Sequence, residues 1–320
     1  MPELPEVETI RRQLAPHLEG RTIVEAQILD PRWTRPEAPA TVEAELRGAR
    51  VERVNRAGKY LAWSLSGTRY LLMHLRMTGT LLFDPVAPPP QTRVLFGLDD
   101  GHRLVYVDPR RFGTGHLLHG EAARDDYLGA RIGIEPLTPE FTAQHLRSLG
   151  QGRTAPVKAF VLDQQRIAGV GNIYADEALF RAGIHPLRPA GRLSAGDWVR
   201  LRDGIEQALS AGIEAKGASI DDFRHLDGAR GSFQDLFLVH RRAGQACPRC
   251  GGTIRKIVVS GRGTYVCERC QPRPRRRAAA SPAARGPGAP APEPSSAATG
   301  NVCRVWRAKT EHGEDAGVDV

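Results

Sequence analysis

Residues 2–20 read PELPEVETIRRQLAPHLEG, and in them Val7, Ile10, Leu14 and Leu18 recur at the three-to-four spacing of a helix that buries one face. Gly20 stands where such a helix can end. From Thr22 onward β-favouring runs take over, at 49–65, 69–75 and 79–83, and Asp99-Asp100-Gly101 bisects 93–107 as a hairpin signal. A helix laid against packed antiparallel strands follows from these two periods, with a boundary near residue 135. Beyond it the helical period returns over 140–149, 155–165, 172–183 and 195–215. In the last of these Trp198, Leu201, Ile205 and Leu209 make one core stripe, and Ser194 is placed to cap it. Residues 217–235 are Gly-rich, polar and poorly periodic, as expected of a long mobile loop with a functional role.

The chain of 320 residues is long enough for more than one core. Its composition, 41% hydrophobic and 25% charged, includes no apolar run near the roughly 18 residues of a membrane span. The start MPELPEVE is acidic and lacks an apolar leader, so a cytoplasmic location and no membrane partner are expected. The net charge of +9 points to a polyanionic partner, and the excess sits mostly in the body: the first 270 residues hold 37 Lys/Arg against 31 Asp/Glu. From Ala278 to Gly300 no apolar residue exceeds Ala in size, so a disordered tail is expected.

Cys247-Pro-Arg-Cys250 and Cys267-Glu-Arg-Cys270 are two CxxC pairs with 16 residues between them, the spacing of a four-thiolate zinc site. Paired disulfides are the alternative, but stable disulfides are disfavoured in the cytosol. A complete thiolate shell leaves no open position, which makes one zinc ion structural. Arg255, Lys256 and Arg262 between the knuckles describe a basic β-hairpin suited to a phosphate backbone. Cys303, in the tail, is left over.

Pro2 follows the initiator Met, and removal of that Met would expose a secondary α-amine. Such an amine titrates near pH 8, so a substantial neutral fraction exists at neutral pH, and attack on a sugar C1′ can form an iminium directly. Glu3, Glu6 and Glu8 supply carboxylates beside it, although acids at a helix N-terminus are also ordinary dipole partners. GVGN at 169–172 lacks the third glycine and the βαβ setting of a dinucleotide site. Asn172 instead reads as the cap of a helix starting at Ile173, with backbone N–H groups left for a phosphate. Arg153 and Lys158, read on the preceding helical segment, are candidate phosphate contacts, though single basic residues on a helix are usually solvated surface.

PELPEVETIRR (2–12), RAGKYL around Lys59, MHLRMTG around Met77, DPRRFG (108–113), GVGNIYADEALF (169–180) and the cysteine knuckles occur together in one order. With them, residues 2 to about 271 resemble the formamidopyrimidine-DNA glycosylases. The resemblance implies an α+β protein: an N-terminal helix plus antiparallel β-sandwich catalytic domain (1–135), a helix-two-turns-helix DNA-binding domain (136–235), a zinc finger (236–271) and a tail (272–320). It also implies a monomer that excises oxidised purines from damaged double-stranded DNA and then nicks the strand by β,δ-elimination. By resemblance Pro2 is the Schiff-base nucleophile, Glu3 the acid at the deoxyribose, Lys59 an aid to β-elimination, and Arg262 a δ-elimination or phosphate residue. The resemblance further implies that Met77, Arg110 and Phe112 fill the gap left by an everted nucleotide, where a thioether and an aromatic ring can replace stacking and a guanidinium can pair with the orphaned cytosine. The resemblance also implies that loop 217–235 closes over the flipped base.

Two positions depart from the family pattern, Gln91 where many relatives carry histidine and Val239-His240 where they read Val-Tyr. They weaken the carry-over of minor DNA contacts, including that of Gln91. The nearest rival is endonuclease VIII, which shares the scaffold and prefers oxidised pyrimidines. A rival of another class is a zinc-ribbon protein that binds damaged DNA or RNA without cutting.

Overall fold

A computed structural model describes residues 2–220 and 223–274. The tail from 275 on, Cys303 with it, and Asp221-Asp222 in loop 217–235 lie outside the described residues.

Helix α1 (Leu4–Leu18) opens with a capping box: the Glu3 side chain takes the backbone N–H of Glu6, and the Glu6 carboxylate takes that of Glu3. Pro5 sits in the first turn, where its missing N–H has no partner to lose. The helix stops two residues before Gly20, whose φ of +86° lets the chain turn so that its N–H meets the Val51 carbonyl at 2.8 Å.

Strands β1 (Ile23–Ile28), β5 (Thr80–Phe83), β6 (Thr92–Leu98) and β7 (Arg103–Val107) form one antiparallel sheet in the order β1-β6-β7-β5. A second sheet, β2-β3-β4-β8, is built from Val51–Ala57, Tyr60–Leu65, Arg69–His74 and Thr114–His119. One core joins the inner faces of both, with Trp63 and Phe96 rings 5.3 Å apart and Leu14 and Leu18 of α1 among them. Trp33 is inserted edge-on to Phe96, and Gly115 lies against it so closely that a Cβ would fall 2.2 Å from the indole. The expected run 49–65 is thus two strands, divided at Gly58-Lys59 because Gly58 turns with positive φ.

Helices α2 (Pro39–Leu46) and α3 (Gly120–Gly129) and strand β8 were not signalled by the periodicity. Both helices are short and amphipathically weak: α2 buries only Val42 and Leu46, and α3 buries no residue fully. The later helices lie close to expectation, as α4 (Ala143–Gly150), α5 (Val157–Leu162), α6 (Asn172–Ala182) and α7 (Ala195–Glu214). Ser194 caps α7, and Trp198, Leu201, Ile205 and Leu209 are buried in a second core. Helices α6 and α7 approach so closely that a Cβ on Gly204 would meet the Ala178 carbonyl at 2.5 Å. A last hairpin, β9 (Arg255–Val259) and β10 (Arg262–Val266), carries the cysteines at its base.

Two segments belong to both cores. Leu4 lies in the helical core while Val7, Ile10, Leu14 and Leu18 lie in the sheet core. Loop 217–235, expected to be mobile, is anchored likewise, with Phe223 and Leu226 in the sheet core and Ala218 and Phe233 in the helical one. Its polar composition hides these few apolar anchors. Among the described residues no helix is long and apolar enough to cross a membrane. Leu14→Ala, at the fully buried centre of α1, is expected to cost about 3 kcal/mol in a urea unfolding titration.

Candidate active site and zinc hairpin

The chain start is threaded onto the N-terminus of α6. The Glu3 carboxylate, 2% exposed, accepts the backbone N–H groups of Ile173 (3.1 Å) and Tyr174 (3.4 Å), and Leu4 N–H donates to the Gly169 carbonyl at 3.0 Å. A negative charge is favoured there by the free amides and the helix dipole. Glycine is required on both sides of this seat. A Cβ on Gly171 would lie 2.2 Å from Glu3 Cδ, and one on Gly169, at φ +80°, 2.6 Å from Leu4 Cδ1. Gln164 holds the same 169–172 loop, donating to the Val170 carbonyl (2.7 Å) and accepting from Gly169 N–H (3.0 Å).

The other two acids diverge. Glu6 is fully buried and accepts from Tyr174 Oη (2.7 Å), Ala218 N–H (2.8 Å) and Glu3 N–H (2.8 Å). Burial first, and then the Glu3 charge, raise its pKa to about 7 against those hydrogen bonds. Glu8 meets three guanidiniums, Arg11, Arg12 and Arg56. Burial pushes its pKa up, but hydrogen bonds and charge from the arginines together win and hold it at about 2. Glu8 is therefore a fixed anion of an ion-pair network rather than a proton donor. Lys59 follows Gly58 at the β2–β3 turn, which Glu135 holds through Gly58 N–H at 2.8 Å. Lys59 is buried, and desolvation lowers its pKa although Glu3 and Glu6 pull the other way.

Glu3, Met77, Asn172, Ile173, Phe223 and Arg262 share a cavity of about 170 Å³ with Ala218, Ile220, His240 and Arg241. Lys59 faces a neighbouring one, of about 280 Å³, with His74, Arg76 and Arg131. Arg110 and Phe112 project from the β7–β8 loop, the guanidinium 4.9 Å from the ring centre and Phe112 52% exposed. Asp108, itself buried, sets that loop: it accepts from Phe112 N–H (2.9 Å), Gly113 N–H (2.8 Å), the Tyr106 hydroxyl and the hydroxyl of Thr78, next to Met77. Arg111 is turned away onto Asp30. Gln91 is exposed at the start of β6, and its carbonyl takes the Asp108 N–H at 3.1 Å.

Four expectations are corrected here. Asn172 does not cap α6 with its side chain: it is the first helical residue, Gly171 is the N-cap, and Asn172 Nδ2 donates to the Gly263 carbonyl at 3.0 Å. The Ile173 and Tyr174 amides read as free for a phosphate are occupied by Glu3. Lys158 is not a surface phosphate contact. It is wholly buried, its ammonium 2.7 Å from Asp176 Oδ1 and bonded to Thr264 Oγ1 (2.8 Å) and the Gly263 carbonyl (3.2 Å). Arg153 precedes α5 rather than lying on it, in an exposed turn packed on Gly191 and facing a separate groove.

Asp176 and Glu177 of α6 clamp the last hairpin to the helical core. Glu177 accepts the N–H groups of Leu238, Val239 and His240, and Asp176 joins Lys158 to His240 Nδ1 at 2.9 Å. These acids, with Asp108 and Gln164, were not singled out in the sequence, although all but Gln164 fall within the motifs that marked the neighbouring site residues. The four cysteine Sγ atoms lie within 4.8 Å of one another, Cys247 3.8 Å from Cys270 and Cys250 3.5 Å from Cys267. Zn–S bonds of about 2.3 Å imply tetrahedral S···S edges of roughly 3.8 Å, so the four thiols fit one zinc ion, and with all four positions taken by sulfur it is structural.

Comparison with known proteins gives this arrangement its class. Three family models match in order: the formamidopyrimidine-DNA glycosylase N-terminal domain over residues 1–115, the formamidopyrimidine-DNA glycosylase H2TH domain over 132–224, and the zinc finger found in FPG and IleRS over 244–273. That order defines a DNA repair glycosylase. A formamidopyrimidine-DNA glycosylase of Symbiobacterium thermophilum is 47% identical over 277 residues, which cover 86% of this chain and 90% of that one. The Lactococcus lactis Fpg protein, solved with an abasic site containing DNA and with a Fapy-dG containing DNA, is 33% identical, with TM-scores of 0.79 and 0.78, covering 85% of this chain and all of that one. The chain belongs to the formamidopyrimidine-DNA glycosylase family.

Two outcomes follow from this geometry. The folded state holds a proton on Glu6 up to about pH 7, whereas an unfolded glutamate loses it near its ordinary value of 4.5, so this group makes stability fall as pH rises between those values. Denaturant titrations from pH 5 to 8 should show that decline in the parent and a shallower one in Glu6→Gln. Native mass spectrometry should find one zinc per chain, and Cys267→Ser should abolish stoichiometric binding and lower the melting temperature.

Proposed function

We propose that the protein is a bifunctional DNA glycosylase and lyase that removes oxidised purines from duplex DNA, acting as a single chain with Pro2, freed of Met1, as its nucleophile. The observation that carries this reading is the position of the residue after Pro2: Glu3 is locked onto α6 in the wall of a cavity that also holds Arg262 and Asn172. Unstacking a damaged base is less costly than unstacking a paired one, and the cavity beside Met77 offers it a place.

In this reading the Pro2 nitrogen attacks C1′, and the C1′–base bond breaks with its electron pair leaving on the base, which takes up a proton. The nitrogen then gives its proton to the Glu3 carboxylate, which passes it to O4′ as the nitrogen lone pair expels that oxygen, giving an iminium. The iminium acidifies the C2′ proton. Its removal, which a neutral Lys59 can assist because burial favours the uncharged amine, breaks the C3′–O bond. Loss of the C4′ proton then breaks the C5′–O bond, and water returns the free amine. Arg262 holds a phosphate through these steps, and Met77, Arg110 and Phe112 occupy the vacated stack. Arg153 and Gln91, both exposed, serve as outlying backbone contacts. The domain limits proposed are 1–135, 136–235 and 236–271.

Borohydride should trap the protein covalently on 8-oxoguanine·C duplex, and Pro2→Gly and Glu3→Gln should each lower the trapped yield by at least about a hundredfold. Faster cleavage of thymine glycol·A duplex would transfer the assignment to oxidised pyrimidines. Binding without any trapped species would leave a recognition protein.

A further inference from the structure

Two separate loops carry the side chains read as filling the vacated stack, and they meet on one buried pair of residues. The β4–β5 loop presents the exposed Met77, and the β7–β8 loop presents Arg110 and the exposed Phe112. In each loop an arginine in left-handed backbone precedes the exposed side chain, Arg76 at φ +54° and Arg111 at φ +58°. A residue with a Cβ adopts that conformation at a cost, so surrounding contacts must hold both turns.

Those contacts are shared between the loops. Thr78 and Asp108 are both buried, and the Thr78 hydroxyl donates to Asp108 Oδ1. The Arg110 N–H divides itself between the two, reaching Thr78 Oγ1 at 3.4 Å and Asp108 Oδ1 at 3.3 Å. On β7 the Tyr106 hydroxyl donates to Asp108 Oδ2 at 3.3 Å and lies between the last residues of the two loops. A Cβ on Gly79 would fall 2.5 Å from that hydroxyl oxygen, and one on Gly113 1.7 Å from it. The backbone that carries Arg110 is therefore registered to the loop that carries Met77 through Thr78 Oγ1. Exchange of that hydroxyl for a methyl group would leave a buried carboxylate short of a donor.

Register matters because of what a guanidinium can read. It carries donors only. Cytosine turns its N3 and O2 acceptors toward a partner across the helix, whereas adenine sets an amino donor beside its acceptor. The placement of the Arg110 fork then decides which opposite base is accepted.

We propose that Thr78 is a positioning residue for the choice of opposite base: its hydroxyl joins the Met77 loop to the Arg110–Phe112 loop, so that stacking side chains and guanidinium enter the duplex as one piece set for cytosine. This role rests on the stacking and pairing functions given above to Met77, Arg110 and Phe112.

The test uses the full, zinc-loaded chain in single-turnover excision from 8-oxoguanine·C and 8-oxoguanine·A duplexes. The ratio of the two rates is independent of the fraction of protein that is folded. Thr78→Val keeps the shape and removes the hydroxyl, and should lower the C-over-A ratio by about tenfold, the effect of one hydrogen bond. Thr78→Ala, as a second variant, should lower it likewise, and Thr78→Ser should keep the parent ratio. In an Arg110→Ala background, where the ratio is already low, Thr78→Val should lower it no further. An unchanged ratio in Thr78→Val or Thr78→Ala, an equal fall in Thr78→Ser, or a further fall in the absence of Arg110 overturns the proposal. An Arg110→Ala variant that keeps the parent ratio overturns the pairing reading itself, a distinct failure.

Discussion

The seating of the Glu3 carboxylate on the first amides of α6 is the contact from which the rest of the site takes its position. A short acidic side chain reaching across the protein satisfies donors that would otherwise be buried without partners, and this fixes where the chain begins. The constraint propagates backward into sequence. Gly169 and Gly171 leave no room for a side chain against Leu4 and Glu3, and Gln164 holds the loop between them from behind. Because Leu4 sits in one core and Val7 in the other, the same helix that presents the N-terminus ties the two halves of the protein together.

A second set of buried charges does for the metal hairpin what Glu3 does for the chain start. Lys158, Asp176 and Glu177 are all withdrawn from solvent, and each is matched by a partner on the hairpin or on the segment leading into it. Removing one member would leave an uncompensated charge, which is far more costly than the pair's net contribution. The result brings Arg262 and Asn172 beside Glu3 although 90 residues separate Asn172 from Arg262 in the chain.

Much of this is legible in the sequence alone. The period of α1 and α7, the turn at Asp99-Asp100-Gly101 and the cysteine spacing are local signals, and each element lies where its signal does. What the sequence hid depends on long-range pairing. Nothing in VKAF distinguishes a solvated lysine from one that meets an aspartate 18 residues on, and GVGN looks like a ready anion site unless the acid that fills it is known. The loop 217–235 misled in the opposite direction, since four scattered apolar residues suffice to pin a stretch whose composition is polar. Helices α2 and α3 escaped notice because they bury too few residues to print a period.

The β7–β8 loop is drawn tight by one carboxylate. Asp108 gathers three backbone amides and two hydroxyls, and the loop it fixes carries the Phe112 ring 52% exposed. The conformational freedom that insertion of such a ring would ordinarily remove has already been given up during folding. For the stacking role proposed for Phe112, the protein's share of the ordering would be the same for every duplex, and any difference would come from each duplex's own resistance to being opened.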